Sequence, residues 1–201
     1  MTEMEKMARG YLWGDTDEYL EEQRVKQELM YDYNHLRPSQ KKEREELLRR
    51  IFGEVGENVF VRPPITIARG TLVSIGDGTW INSNMTLVDD YRITIGKNCL
   101  FGPNVTISTT GHPVHPDLRA AGMYSFPVTI GDNVWIGTNA AIMPGVTIGE
   151  NSVIGAGSIV TQDIPANVIA VGVPCKVLRE INDRDREYYF RNHRVDEMQC
   201  E

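Results

Sequence analysis

The chain has 201 residues, 41% of them hydrophobic and 24% charged, a globular balance that excludes a disordered or collagen-like protein. With 28 acidic against 21 basic residues the formal charge is −7, which argues against bulk binding to nucleic acid or an anionic membrane and leaves only a local basic patch open. No apolar run approaches the length of a membrane span, and the opening MTEMEKMARG lacks the apolar stretch of a signal peptide. Cys99, Cys175 and Cys200 are far apart, with neither metal spacing nor a disulfide framework. The expectation is a soluble, mildly acidic protein of the reducing cytoplasm, with no nucleic-acid or membrane partner.

Residues 1–55 read as helical. From about Glu18 to Tyr33, Leu20, Val25, Leu29 and Met30 lie among charges, as on an amphipathic helix. In a second helix Leu47, Leu48, Ile51 and Phe52 form one apolar stripe. Ser39, after Pro38, suits its N-cap, Arg49 and Arg50 suit its last turn, and Gly53 suits its stop.

From about residue 57 the helical spacing vanishes. From Ile130 the chain reads in sixes, IGDNVW, IGTNAA, IMPGVT, IGENSV, IGAGSI, and an aliphatic residue returns at 130, 136, 142, 148, 154 and 160. Ile75, Ile81, Leu87 and Ile93 form an earlier run, and Ile95, Phe101 and Ile107 another, shifted by two residues. Six residues hold one short strand and one corner, so each face sends one aliphatic side chain inward. Asn98, Asn104, Asn133, Asn139 and Asn151 stand three places after the aliphatic residue, and Asn tolerates the left-handed conformation of a tight corner. Ala140, Ser152 and Ser158 follow where little room remains inside. Three faces close a triangular coil, and coils stack as parallel strands about 4.8 Å apart. An antiparallel sandwich would place its turns at roughly 8–12 residues and fits a strict six badly.

The hexapeptide [LIV]-G-x-x-x-x is the signature of left-handed parallel β-helix acyltransferases. The segments LMYDYNH, VGENVFVRPP, TLVDDY, NVTISTTGHPVH, MYSFPVTIGDNVWIG and GAGSIVTQDIPANVIAVGVPCKVLREINDRDREYY resemble those of the maltose and galactoside O-acetyltransferases along nearly the whole chain. The resemblance implies a mainly β fold, a left-handed parallel β-helix with an N-terminal helical segment and an extruded loop. It also implies transfer of acetyl from acetyl-CoA to a sugar hydroxyl, in a homotrimer with active sites between subunits. No metal is expected, because the coil region holds only two histidines and the cysteines form no cluster. The expected division is a helical cap over 1–55, a β-helix over 56–178 and a tail over 179–201.

The sixes fail after Ile107 and resume at Val128 and Ile130, which leaves residues 108–127 as a loop extruded from a rigid scaffold, where binding and catalytic groups tend to sit. It carries His112 and His115. Acyl transfer to an alcohol needs a base for the hydroxyl proton, a stabilised oxyanion and two substrates in line, and neutral imidazole suits the base. No Ser or Cys stands in a nucleophile setting, so direct transfer is simpler than an acyl-enzyme. His112 matches the first His of the family's GHPVH segment, which the resemblance implies is the general base; from the residues alone, a loop His capping a carbonyl explains it equally. His115 reads as a structural or substrate-shell residue. Two histidines also raise a zinc site of the γ-carbonic-anhydrase kind, but catalytic zinc wants three protein ligands, and His35 and His193 lie in the flanks.

For the acceptor, the resemblance implies Asn82 and Asp90 on a coil before the loop and Asp15 from the helical segment, while Met123 and Trp135 match apolar residues near the family's active site. Asn82 could instead be a corner, Asp15 and Asp90 solvated turn carboxylates, and Met123 and Trp135 mere packing; Asp90 could also orient a histidine. For acetyl-CoA, Gly137, Thr138, Ala156 and Gly157 offer a groove to the pantetheine arm, unless they merely satisfy the repeat. Thr161, Gln162, Lys176 and Arg179 fall at positions the family uses around CoA, the two cations suiting phosphate. Three departures stand out. Ala68 replaces a Ser of some members, which weakens any galactoside claim, and Gln162 and Lys176 stand where some carry Lys and Arg. The remaining alternatives are another small hydroxyl acceptor, such as a xenobiotic or nucleotide sugar, and a silent binding scaffold.

Overall fold

The computed structural model describes residues 1–196, so Cys200 lies outside the described residues. Helix α1 (Glu3–Ala8) is closed by a capping box in which Thr2 and Glu5 each bond the other's backbone N–H. It escapes the sequence because six residues with one buried side chain, Met7, show no period. Helix α2 (Asp17–His35), capped by Thr16, extends the expected span at both ends. Helix α3 (Lys41–Ile51) corrects two expectations. Its N-cap is Gln40, not Ser39, because a turn over 37–40 uses the Ser39 carbonyl to accept from Lys41, and Gln40 makes no side-chain cap. Gly53 does not adopt the left-handed stop conformation. It is small because a methyl there would run into the Thr71 carbonyl, where the first coil closes on the helix end.

Beyond Gly53 the chain winds into a prism with three parallel sheets. The first face stacks Glu54–Val55, Val73–Ile75, Ile93–Ile95, Val128–Ile130 and Thr147–Ile148. The second stacks Phe60–Val61, Trp80–Ile81, Leu100–Phe101, Trp135–Ile136, Val153–Ile154 and Val168–Val171, with Lys176–Glu180 added antiparallel. The third stacks Ile65–Ile67, Met85–Val88, Thr106–Ser108, Ala141–Ile142 and Ile159–Val160. Inward residues meet in register: Ile75, Ile95, Ile130 and Ile148 on the first face, Ile81, Phe101, Ile136 and Ile154 on the second, Leu87, Ile107, Ile142 and Val160 on the third. All twelve are buried.

The five expected Asn corners all have positive φ, and Asn58, Asn84 and Asn167 join them. Some also bond along the prism, Asn133 Nδ2 to Asn151 Oδ1 at 3.1 Å and Asn151 Nδ2 to Asn167 Oδ1 at 2.9 Å. Asn151→Ala should cost about 1–2 kcal/mol, the left-handed penalty for an L side chain, whereas Asn151→Gly keeps the conformation and loses only the exposed ladder bonds. Urea unfolding that ranks alanine no worse than glycine would refute the corner role.

Helices α2 and α3 cover the open end of the prism. Tyr33 is fully buried and donates its hydroxyl to the Val61 carbonyl, and Asn34 brackets Ile65, donating to its carbonyl and accepting from its N–H at 2.8 Å each. The Asn34 amide thus stands in for the missing next strand and blunts the edge. At the far end a short helix, Arg184–Glu187, and a hairpin of Tyr188–Phe190 with His193–Arg194 complete the described tail. Among the described residues no helix is long and apolar enough to cross a membrane.

The irregularities fall on one edge, where the third face turns into the first. The return from Ile67 to Ile75 and from Leu87 to Ile95 takes eight residues instead of six, and that from Ile107 to Ile130 takes the whole 108–127 excursion. The two-residue shift in the sequence is therefore an enlarged corner, and Ile95 rather than Ile93 is the stacking partner of Ile75.

Candidate active site

The enlarged corners stack on one another. Asp89 is fully buried and accepts backbone N–H bonds from Ala68 at 2.8 Å, from Arg69 at 3.3 Å and from Gly70, so one carboxylate stitches two corners together. Burial pushes its pKa up, against the pull of those donors. Asp90 is also buried, which removes the solvated-turn reading, and it accepts the Tyr19 hydroxyl rather than orienting a histidine. Thr109 links this corner to the loop, its hydroxyl donating to the Val88 carbonyl at 2.9 Å and accepting from Tyr91 N–H at 3.1 Å.

The 108–127 excursion is an ordered loop. Thr110–Gly111 pairs antiparallel with Tyr124–Ser125, and helix α4 (Pro116–Arg119) fills the tip. Gly111 must be small because a methyl there would run into the Tyr124 ring. The Trp13 indole donates to Ser125 Oγ at 2.9 Å, and that hydroxyl meets Thr110 Oγ1 at 2.8 Å. The Trp13 and Met123 backbones exchange two 2.9 Å hydrogen bonds. The segment before α2 thereby clamps the base of the loop, and Met123 packs half-buried against the Met7, Trp13, Tyr19 and Tyr91 cluster.

His112 follows Gly111 directly and is exposed. Among the described residues no protein group hydrogen-bonds its ring, so the carbonyl-capping alternative does not hold. His115 is engaged: its Nδ1 accepts the Asp117 N–H at 3.3 Å and caps α4. Asp15 is exposed just ahead of α2. It lies near enough to Tyr19 to add slightly to a phenol pKa already pushed well upward by burial and then by Asp90.

Other candidates lie on a different edge, where the second face turns into the third. Asn82 is half-buried and holds the Ser83 N–H at 2.9 Å; the left-handed corner belongs to Asn84, so the corner reading of Asn82 fails. Thr138 is half-buried, and Ala156 and Gly157 are exposed. Gly137 is buried, and a methyl there would strike the Ala156 backbone, so coil stacking alone accounts for it. The strand Met85–Val88, about 13 Å at the usual rise, separates Asn82 from Asp90 within one chain.

Residues 6–56 match the maltose acetyltransferase hexapeptide capping motif, 92–111 the hexapeptide repeat of succinyl-transferase, and 127–162 the bacterial transferase hexapeptide repeat. The galactoside O-acetyltransferase of Escherichia coli (strain K12) is 56% identical over 194 residues, 96% of each chain. The chain belongs to the hexapeptide-repeat sugar O-acetyltransferases. A solved galactoside acetyltransferase in complex with coenzyme A superposes with a TM-score of 0.95 at 54% identity, covering 97% of this chain and 98% of that one. A maltose O-acetyltransferase from Clostridium difficile 630 superposes at 0.88 with 40% identity, covering 91% and 99%. The prism is thus the left-handed parallel β-helix of this family.

In this acetyltransferase the departures sit as follows. Ala68 is half-buried and contributes its N–H to Asp89. Thr161 and Gln162 are exposed where the last coil leaves the third face, and Lys176 is exposed on the antiparallel strand. Arg179 is already committed, its guanidinium forking onto Asp185 at 2.7 and 2.6 Å, which holds that carboxyl down to about 2. A phosphate would have to compete for it. Among the described residues no group of three or more His, Cys, Asp or Glu could hold a metal ion.

Trp135 was named from the sequence, but the stripe it belongs to was missed. Trp80, Leu100 and Trp135 are in register on the second face and point outward, 44%, 52% and 54% exposed. Each precedes an inward residue, and strand alternation puts it outside. A large apolar residue just before the repeated aliphatic was the available signal.

Proposed function

We propose that this enzyme moves the acetyl group of acetyl-CoA to a hydroxyl of a galactoside- or maltose-type sugar, by direct transfer, as a homotrimer in the cytoplasm. The observation that carries the reading is the division of candidate residues between two edges. Asp90, Met123 and His112 stand on one edge and Asn82, Thr138 and Ala156 on the other, so a single chain holds two half-sites. The apolar stripe of Trp80, Leu100 and Trp135 lies on the face adjoining the second edge and supports a neighbouring copy there, whose loop edge would complete the site. The family's galactoside and maltose members support the acceptor class.

Acetyl-CoA supplies a thioester carbonyl and a thiol leaving group. The donor set fits it: Gly157 is open, with nothing within 4 Å of where a side chain would start, Thr138 and Ala156 lie beside it, and Lys176 is an exposed cation for phosphate. His112, whose ring bonds no protein group among the described residues, takes the acceptor hydroxyl proton as that oxygen bonds the acetyl carbon, and returns the proton to the departing sulfur. Asp90 and Asp15 accept sugar hydroxyls, as carboxylates can from several directions. Asn82 and Met123 hold the ring from its polar and apolar sides.

Light scattering should give three times the 22.7 kDa of the chain, and CoA release should appear with galactosides, glucose or maltose in an acceptor panel. A stable active monomer would overturn the shared site. CoA release only with a xenobiotic or nucleotide-sugar hydroxyl would move the acceptor class, for which the missing hydroxyl at Ala68 leaves room. Binding of CoA with no acceptor turned over would leave a silent scaffold.

A further inference from the structure

We infer that Tyr19, from the first turn of α2, is a positioning residue for acceptor recognition, because its hydroxyl bonds the Asp90 carboxylate and fixes which oxygen faces the sugar. This rests on the reading of Asp90 as an acceptor contact.

Tyr19 and Asp90 are 71 residues apart, and both are buried. The phenol is held on three sides. Its ring packs against Trp13 with centroids 5.5 Å apart. The Arg69 guanidinium lies over its face at 4.9 Å. Arg69 itself is buried and ion-paired with Glu22, one turn further along α2. Glu22, Arg69 and Tyr19 therefore bolt the start of the helix to the enlarged corner, and the Tyr19 hydroxyl ends on Asp90. Burial and the neighbouring carboxylate keep the phenol protonated, so it donates, and one Asp90 oxygen is satisfied inside the protein. The other has no protein donor among the described residues and is left for the acceptor. A carboxylate pinned at one oxygen keeps a single orientation, so the sugar hydroxyl meets an acceptor already in place.

Tyr19→Phe keeps the ring contacts and removes only the hydroxyl. The hydroxyl lost is a donor to a charged group, so the acceptor KM should rise about tenfold, while the acetyl-CoA KM stays unchanged. In an Asp90→Asn background the Tyr19→Phe change should add almost nothing, since both act through one group. The inference is overturned if Tyr19→Phe leaves the acceptor KM within about twofold while Asp90→Asn raises it. It is also overturned if the Tyr19→Phe effect persists in full beside Asp90→Asn, or if only thermal stability falls. An Asp90→Asn enzyme with unchanged acceptor KM would instead refute the reading of Asp90 beneath it.

Discussion

Replacing His112 with alanine should slow turnover by about 10²–10⁴-fold, the usual worth of a positioned general base. Two observations make that loss separable from damage to the fold. The ring is exposed and bonds no protein group among the described residues, so its removal opens no cavity and orphans no buried partner. The loop under it is held by other residues, by Trp13 on Ser125, Ser125 on Thr110 and Thr109 on Val88. Oligomeric mass, thermal stability and acetyl-CoA binding should therefore stay near wild type. His115→Ala is the matched control, because it removes the N-cap of α4, and it should reduce turnover less. Steady-state kinetics on the purified enzyme decide the matter. If His112→Ala keeps more than about a third of wild-type turnover, a loss far below the general-base range, the base must be sought at His115 or Asp90.

The largest expected stability loss lies in the stack. Ile136 is fully buried between Phe101 and Ile154 on neighbouring coils, and Ile136→Ala should destabilise by about 2–5 kcal/mol through lost transfer energy and the cavity left behind. The cost should fall toward the upper end. Backbone hydrogen bonds above and below, such as Gly137 N–H to the Ile154 carbonyl at 2.7 Å, keep the coils from collapsing into the space. Trp135→Ala, one residue earlier but outward-facing, should leave the single chain's core untouched and weaken association between copies. Denaturant midpoints together with mass measured against concentration separate the two effects. A cost below about 1 kcal/mol for Ile136→Ala would mean that the repeated aliphatic positions do not carry the fold.

The repeat was legible because it is local. Each coil buries its own aliphatic residues against copies of itself, so a period of six, an Asn at each tight corner and a small residue after it are written in consecutive positions. Those features determined the prism, the core and the limits of the 108–127 excursion. The helices were legible less fully. Ser39 lost the cap to Gln40 because the 37–40 turn already used its carbonyl, and α1 was too short to show a period. The site was legible only as residue types that resemble a family's. That Asp90 is buried under Tyr19, that Trp13 pins the loop, and that every irregular corner falls on one edge follow from contacts between residues tens of positions apart, which no local pattern records. The separation of Asn82 from Asp90 by the width of a face is likewise a property of the closed coil. The sequence by itself determined what repeats and where the repeat breaks; the tertiary structure decided what meets at the breaks, because side chains distant along the chain become neighbours only when the coils stack.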